Sequence, residues 1–190
     1  MKMSRLLLTA ITVITFCACA FAQGGAPADE IVMPRFEAAP QIDGDLSDAA
    51  WQNAPVADEW TIPLTTQATP KSCAVMLGFD DTGIYVGARF GEPNPDSLQM
   101  DAPDGSASVW KDDCIEVWVR TSDERADFEQ FIVNAGGARQ RAGASGTPQP
   151  QFPAGVKIGD DHWTIELLIA WDQIDIEQTP EPGSMIQIKF

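Results

Sequence analysis

Hydrophobic and polar residues alternate with a period of two along most of this chain, which is typical of β-strands that bury one face. Residues 73–79 and 84–90 both alternate in this way, and the Asp-Asp-Thr-Gly sequence between them is typical of a tight turn. We therefore predict that these two segments form a β-hairpin.

The same alternation predicts further strands in the second half of the chain. They comprise residues 114–120, 129–134, 156–158, 163–170 and 185–190. The first four are expected to form two hairpins, and the last is expected to pair inside a sheet because its apolar residues need a core to cover. Residues 138–153, which are rich in Gly, Ala, Gln and Pro, are predicted to form a long loop.

Helical structure is predicted only at two short turns. One spans residues 47–51, with Asp45 or Ser47 as its cap, and the other lies around residues 171–174. Many short strands with turns between them favour an all-β fold, an antiparallel β-sandwich of two packed sheets.

The first 22 residues have the features of a secretory signal peptide. Lys2 and Arg5 precede an apolar run at residues 6–21, and residues 20–22 form a small-x-small cleavage site. The run is short for a membrane span and stops at the cleavage site, so removal is favoured over a membrane anchor. We predict a secreted protein, periplasmic or extracellular, with no membrane partner after cleavage.

Cleavage after residue 22 leaves 168 of the 190 residues, the size of one ordinary domain. Residues 23–33 are predicted to be a flexible leader and residues 34–190 the folded domain. The formal net charge of −16 becomes −18 once Lys2 and Arg5 are removed. Such an acidic surface repels phosphate backbones, which excludes nucleic acid as a partner and leaves neutral ligands and cations.

Two of the four cysteines, Cys73 and Cys114, remain after cleavage. Export permits a disulfide between them. Strand parity, however, places Cys73 with the core face of its strand and Cys114 with the polar face that carries Glu116. Because a disulfide needs converging β-carbons, we predict two free thiols.

Several segments, taken in order, carry a resemblance to a known family. They are residues 42–51 (IDGDLSDAAW), the hairpin at 79–86, residues 109–119 (VWKDDCIEVWV), residues 131–134 (FIVN) and residues 163–171 (WTIELLIAW). Together they resemble carbohydrate-binding module family 9 over nearly the whole predicted domain.

The resemblance implies a β-sandwich that clamps sugar rings and binds an oligosaccharide or polysaccharide. It implies that Trp110 is a clamp aromatic and that Glu116 and Asn134 are polar sugar contacts. Members of that family often carry structural calcium and are often attached to polysaccharide-degrading enzymes. Structural calcium and a glycoside hydrolase partner are therefore further expectations.

The chain departs from the family pattern in two places. A sugar-contacting arginine would fall at Ile132, whose side chain cannot donate a hydrogen bond, and the second clamp tryptophan would lie beyond residue 190. We therefore expect a domain that is incomplete at its C-terminal end, with one exposed sheet edge and one open side of the groove. Sugar dissociation constants of about a millimolar are expected.

The residues themselves also suit sugar binding. A sugar ring requires a flat aromatic side chain against its C–H face and carboxylate or amide groups at its hydroxyl rim. Trp110 precedes a strand, Glu116 lies on the face opposite Ile115 and Val117, and Asn134 ends the neighbouring strand. The alternative is that Trp110 packs over the end of the sandwich and that Glu116 is merely solvated.

Other tryptophans and acidic residues have simpler interpretations. Trp51, Trp163 and Trp171 are predicted to be core residues, whereas Trp118 lies on the polar face beside Glu116. Three Asp-Asp pairs, at residues 80–81, 112–113 and 160–161, could supply calcium ligands. Aspartate is also a common turn residue, and that interpretation is favoured for each pair.

No pattern in the sequence indicates an enzyme. His162 is the only histidine, which supports neither a zinc site nor a nucleophilic triad, and there is no Gly-rich phosphate loop. The leading hypothesis is an exported, non-catalytic carbohydrate-binding domain that supports polysaccharide degradation or uptake.

Three alternatives stay open. The first is a haem-binding exported cytochrome-type sandwich, which would use His162 together with Met33, Met76, Met100 or Met185 as axial ligands. The second is a cell-surface interaction module without sugar binding. The third is part of a glycoside hydrolase, because that chemistry needs only two carboxylates.

Overall fold

The computed structural model describes residues 12–16, 29–61, 67–121, 128–142 and 152–190. The strands in these residues are β1 (Thr12–Phe16), β2 (Asp29–Met33), β3 (Val56–Ala57), β4 (Cys73–Phe79), β5 (Gly83–Gly91), β6 (Cys114–Arg120), β7 (Glu129–Asn134), β8 (Arg139–Ala142), β9 (Ala154–Ile158), β10 (His162–Ala170) and β11 (Met185–Lys189). Short 3₁₀ turns occur at Ala49–Asn53, Pro95–Ser97, Val109–Lys111 and Trp171–Ile174.

The strands form two sheets. Sheet 1 has the order β2-β1-β11-β6-β7-β8, and sheet 2 has the order β3-β4-β5-β10-β9. Neighbouring strands are antiparallel except for β1 and β11, which are parallel. The prediction of an all-β antiparallel sandwich with short helical turns is confirmed.

The predicted hairpins form. Phe79 pairs with Ile84 in the β4–β5 hairpin, and Cys114 pairs with Asn134 in the β6–β7 hairpin. The β9–β10 hairpin also forms, although β9 begins at Ala154, two residues earlier than predicted. Strand β11 pairs with β6 inside sheet 1, as its alternation predicted.

The N-terminal region differs from the prediction of a flexible leader at residues 23–33. Residues 29–33 form β2, and Met33 is fully buried in the core. Ile31 and Met33 point inward while Glu30 and Val32 are exposed, which is the same two-residue alternation as in the other strands. Strand β1 lies in the stretch predicted to be a signal peptide, and removal of that peptide stays a prediction.

A second difference is that part of the predicted loop at 138–153 is strand β8. Its Arg-Gln-Arg-Ala sequence lacks the apolar positions by which a strand is recognised. The structure shows why the strand is nevertheless stable. The Arg139 guanidinium forms two bonds to Asp104, and the Arg141 guanidinium lies 5.4 Å from the centre of the Phe131 ring.

Both predicted helical turns exist, and the described residues contain two more that were not predicted, Pro95–Ser97 and Val109–Lys111. The cap of the first turn was predicted wrongly. That turn spans Ala49–Asn53, and the residue before it is Asp48 rather than Asp45 or Ser47. The carboxylate of Asp48 accepts a hydrogen bond from the backbone N–H of Gln41 at 2.7 Å instead of capping the turn. The second turn begins at Trp171, as predicted.

Among the described residues, two hydrophobic clusters hold the fold together. The larger lies between the sheets and contains Trp163 and Trp171, which confirms them as core residues. The smaller lies on the outer face of sheet 2, where Trp51 packs against Phe36 and Tyr85. Trp51 is thus a buried residue as predicted, but it belongs to a separate cluster.

Residues 42–51 close over the outer face of sheet 2 because one buried carboxylate binds their backbone. Glu166 Oε2 accepts hydrogen bonds from the N–H groups of Asp43 at 3.0 Å and Gly44 at 2.8 Å. Gly155 of β9, which pairs with Glu166 of β10, allows this approach. A Cβ atom at Gly155 would lie 2.6 Å from the Asp43 backbone. This arrangement fastens the start of the segment at 42–51 to β10.

Candidate functional site

Two of the predicted site residues, Glu116 and Asn134, lie on the outer face of sheet 1. In β6, Ile115, Val117 and Val119 are buried between the sheets, so Glu116 and Trp118 face outward. The register pairs Glu116 with Ile132 of β7. Glu116 and Asn134 therefore lie on two adjacent strands of one sheet, which position their side chains.

Trp110 is presented to solvent by the short 3₁₀ turn that precedes β6. Its neighbour Val109 is fully buried and anchors that turn, whereas the Trp110 side chain is 54% exposed. The Nζ atom of Lys111 lies 5.6 Å from the centre of the indole ring. Trp110 is therefore no part of the core, and its ring is available to a ligand.

Glu116 is half-buried on the outer face, where it is positioned by a glutamine. Glu116 Oε2 accepts a hydrogen bond from Gln130 Nε2 at 2.8 Å. Its Oε1 atom has no protein partner within the part of the chain that the structure describes. The carboxylate can therefore accept a hydrogen bond from a ligand hydroxyl while Gln130 fixes its orientation.

Asn134, by contrast, is completely buried and uses its side chain within the protein. Its Oδ1 accepts hydrogen bonds from the N–H groups of Gly136 at 3.0 Å and Ala138 at 2.8 Å. Its Nδ2 donates to Asp112 Oδ2 at 2.7 Å. In this structure Asn134 holds the turn between β7 and β8 against the segment that carries Trp110.

The aspartate pair after Trp110 completes this support. Asp112 Oδ2 also accepts the N–H of Ala102 at 2.9 Å, and Asp113 Oδ2 accepts the N–H of Gln99 at 2.8 Å. The bonds from Ala102 and Asn134 lower the pKa of Asp112. Both carboxylates therefore fasten the loop at 99–102 to the start of β6.

Among the other acidic pairs, Asp80 also acts as a turn residue, and structural calcium stays a prediction. Asp80 Oδ1 accepts the N–H groups of Thr82 and Gly83, and its Oδ2 accepts the Tyr85 hydroxyl. Within the described ranges, no three His, Cys, Asp or Glu side chains cluster as metal ligands would.

His162 lies at the start of β10, beside the β9–β10 turn. Its Nδ1 is 2.6 Å from Asp161 Oδ1, and its ring lies over Gly159, where a Cβ would be 2.7 Å from the imidazole. These contacts hold the imidazole within the turn.

Of the candidate haem ligands, Met33 lies in the core. In the described segments, no helix is long and apolar enough to span a membrane.

Gln130 is a further site residue, and it was not predicted from the sequence. It lies on the same outer face as Ile132 and Asn134, so the parity of β7 could have identified it. Trp118, half-buried on that face, pairs in register with Gln130 on one side and with Lys189 of β11 on the other. The outer face thus offers more polar and aromatic surface than the three predicted residues supply.

The chain matches a known protein family. A family model described as "Carbohydrate family 9 binding domain-like" matches residues 42–190. Among curated proteins, none matches this chain.

Two similar solved structures are family 9 carbohydrate binding modules from Caldicellulosiruptor kristjanssonii. The complex with cellotriose has a TM-score of 0.59 at 15% identity, and the match covers 92% of this chain and 73% of that one. The complex with glucose has a TM-score of 0.60 at 18% identity, with coverages of 82% and 73%. At these identities the likeness concerns the fold.

Proposed function

Because the chain belongs to the carbohydrate family 9 binding domain-like family, we propose that it is an exported, non-catalytic domain that binds oligosaccharide or polysaccharide on the outer face of sheet 1. The observation that carries this proposal is the exposed indole of Trp110 next to the strand that holds Glu116. Trp110 would stack against the C–H face of a sugar ring, and Glu116 Oε1 would accept a hydrogen bond from a hydroxyl group of that ring.

The roles of the two predicted polar residues differ in this proposal. Glu116 contacts the sugar directly, because one of its oxygens has no protein partner among the described residues. Asn134 acts through Asp112 and positions the segment that carries Trp110. Ile132, which is fully buried beside Glu116, adds no hydrogen bond, so we expect dissociation constants of about a millimolar.

The choice of sugar is guided by the structural neighbours. Those neighbours were solved with glucose and with cellotriose, which makes β-linked glucose oligosaccharides the first ligands to try. A net charge of −16 over the whole sequence favours neutral sugars over anionic ones. We propose that the domain works in polysaccharide degradation or uptake, beside a glycoside hydrolase that performs the hydrolysis.

A cellotriose titration followed by NMR tests this function. Glu116→Gln keeps the shape of the side chain but removes its charge, so it should weaken binding about tenfold, because a hydrogen bond to a charged acceptor is replaced by a weaker bond to a neutral one. Glu181→Gln, at an exposed position distant in sequence from the site, is the matched control and should bind like the parent protein. Equal binding by both variants would contradict the proposed site, and release of reducing sugar would contradict the non-catalytic role.

A further inference from the structure

A pocket at one end of the sandwich has the composition of a second binding site. It lies where β4, β6 and β10 begin and β5 ends, and its volume is about 310 Å³. Its described lining consists of Trp60, Thr61, Thr69, Lys71, Ser72, Cys73, Phe90, Gly91, Glu92, Asp113, Cys114 and Trp163. We call it the end pocket. Cys114 places the pocket at the edge of the outer face that carries Glu116, but neither Trp110 nor Glu116 belongs to its described lining.

The walls of the end pocket are aromatic. Trp163 and Phe90 stack with ring centres 4.3 Å apart and form one wall between the sheets. Trp60, half-buried on the connection between β3 and β4, forms another, and its ring is held edge-on against Phe190 at 6.1 Å. Rings that are fixed in this way offer flat apolar surface without the entropy cost of ordering them on binding.

The rim of the end pocket is polar and carries one cation, Lys71, and two carboxylates, Glu92 and Asp113. Glu92 is nearly fully buried, with 5% of its side chain exposed, and it is bonded by the Lys71 ammonium and the N–H of Asn94. The Glu92 carboxylate, the Lys71 ammonium and the hydroxyls of Thr69 and Ser72 place hydrogen-bond donors and acceptors in the lining. This rim suits a neutral ligand with several hydroxyl groups.

We propose that the end pocket binds a single sugar ring. Aromatic walls match the apolar C–H faces of such a ring, and the hydroxyl and carboxylate rim matches its hydroxyl groups. The volume of 310 Å³ is at the lower end of the range of ligand pockets, about 300–1,000 Å³, which limits the occupant to one ring. This site goes beyond the proposed function, which concerns the outer face.

The two cysteines in the lining provide the test, because both Cys73 and Cys114 border the end pocket. Alkylation of each thiol in the full chain can be followed at pH 9 by peptide mass spectrometry, with glucose as the probe. Glucose at ten times its dissociation constant should slow both reactions about tenfold, because only the unoccupied fraction reacts. The protection should disappear in Trp60→Ala and persist in Trp110→Ala.

Further variants and binding data give each outcome a meaning. If Trp60→Ala fails to fold, Lys71→Met, at a half-exposed side chain, should also reduce the protection. Protection that vanishes in Trp110→Ala, or glucose binding without any protection, would overturn the end pocket while leaving the outer face intact. Protection that persists when the outer face does not bind would support the end pocket and contradict the proposed function. Absence of both binding and protection would overturn both.

Discussion

The indole Nε1 of Trp51 donates a hydrogen bond of 2.6 Å to Glu166 Oε1, and both side chains are buried on the outer face of sheet 2. With the N–H groups of Asp43 and Gly44 on the other oxygen, three donors point at one carboxylate. The segment at 42–51 is thereby fastened to β10 over a separation of 115 residues between Trp51 and Glu166.

This arrangement predicts that Glu166→Gln lowers the free energy of unfolding. The amide group of glutamine would place an N–H against at least one of the three donors, leaving a buried donor without an acceptor. The expected loss is about 1–3 kcal/mol. Urea unfolding measures it, with Glu181→Gln as the exposed control, and equal stability of the two variants would show that the three bonds contribute nothing.

The same carboxylate predicts a specific pH dependence. Burial raises the pKa of Glu166, although the bonds from Trp51 and the two backbone amides partly offset this. The folded state therefore holds this proton more tightly than the unfolded state, so the stabilisation by protonation is complete below the ordinary glutamate pKa, about 4.3, and is lost as the pH rises through the raised pKa.

Other carboxyl groups oppose this trend, because Asp45, Asp81, Asp104 and Asp112 have lowered pKa values and stabilise the fold at higher pH. The difference in unfolding free energy between the parent protein and Glu166→Gln isolates the one group. That difference should shrink between pH 4 and pH 7. A difference that grows with pH would mean that the folded state favours the ionised carboxylate.

Asn134 and Glu116 should separate stability from binding. Asn134→Ala removes the acceptor of two backbone N–H groups and the donor to Asp112, so we expect it to cost at least about 2 kcal/mol of unfolding free energy. Glu116→Gln should change stability by less than about 1 kcal/mol, because its side chain is only half-buried. If Asn134→Ala were as stable as the exposed substitution Asn53→Ala, the buried network would be unimportant.

The two cysteines should be free and unusually slow to react. Both are unbonded in the structure, and burial raises the pKa of Cys73 to about 11 and that of Cys114 to about 12. Because the thiolate is the reactive form, the alkylation rate of the native protein should still rise with pH above 10. A plateau near pH 8.5 would contradict the burial, and loss of both thiols in non-reducing denaturant would indicate a disulfide.

Much of the fold follows from the sequence because most strands bury one face. The period-two pattern of β4, β5, β6 and β10 is a direct consequence of packing between two sheets. Strand β8 lacks this pattern of apolar residues, because its inward-facing residues are arginines. They are neutralised by partners distant in sequence, such as Asp104. No local pattern reveals such partners.

The site was predicted less completely than the fold, for a similar reason. The exposure of Trp110 follows from its place just before a strand, and the outward direction of Glu116 follows from parity. The burial of Asn134 does not follow in this way, because parity places it on the outer face, where the turn that folds back over it and Asp112 bond its amide. Neighbouring positions on a strand can therefore differ in role even when their parity is the same.

Contact between Trp110 and sugar can be observed through the six tryptophan indoles. Each indole gives one N–H resonance in a two-dimensional NMR spectrum, assigned by single Trp→Phe variants. Addition of cellotriose should move the Trp110 resonance, while those of Trp51 and Trp171, which are hydrogen-bonded in the interior, should stay in place. If the Trp110 resonance does not move at sugar concentrations well above a millimolar, Trp110 does not contact the sugar.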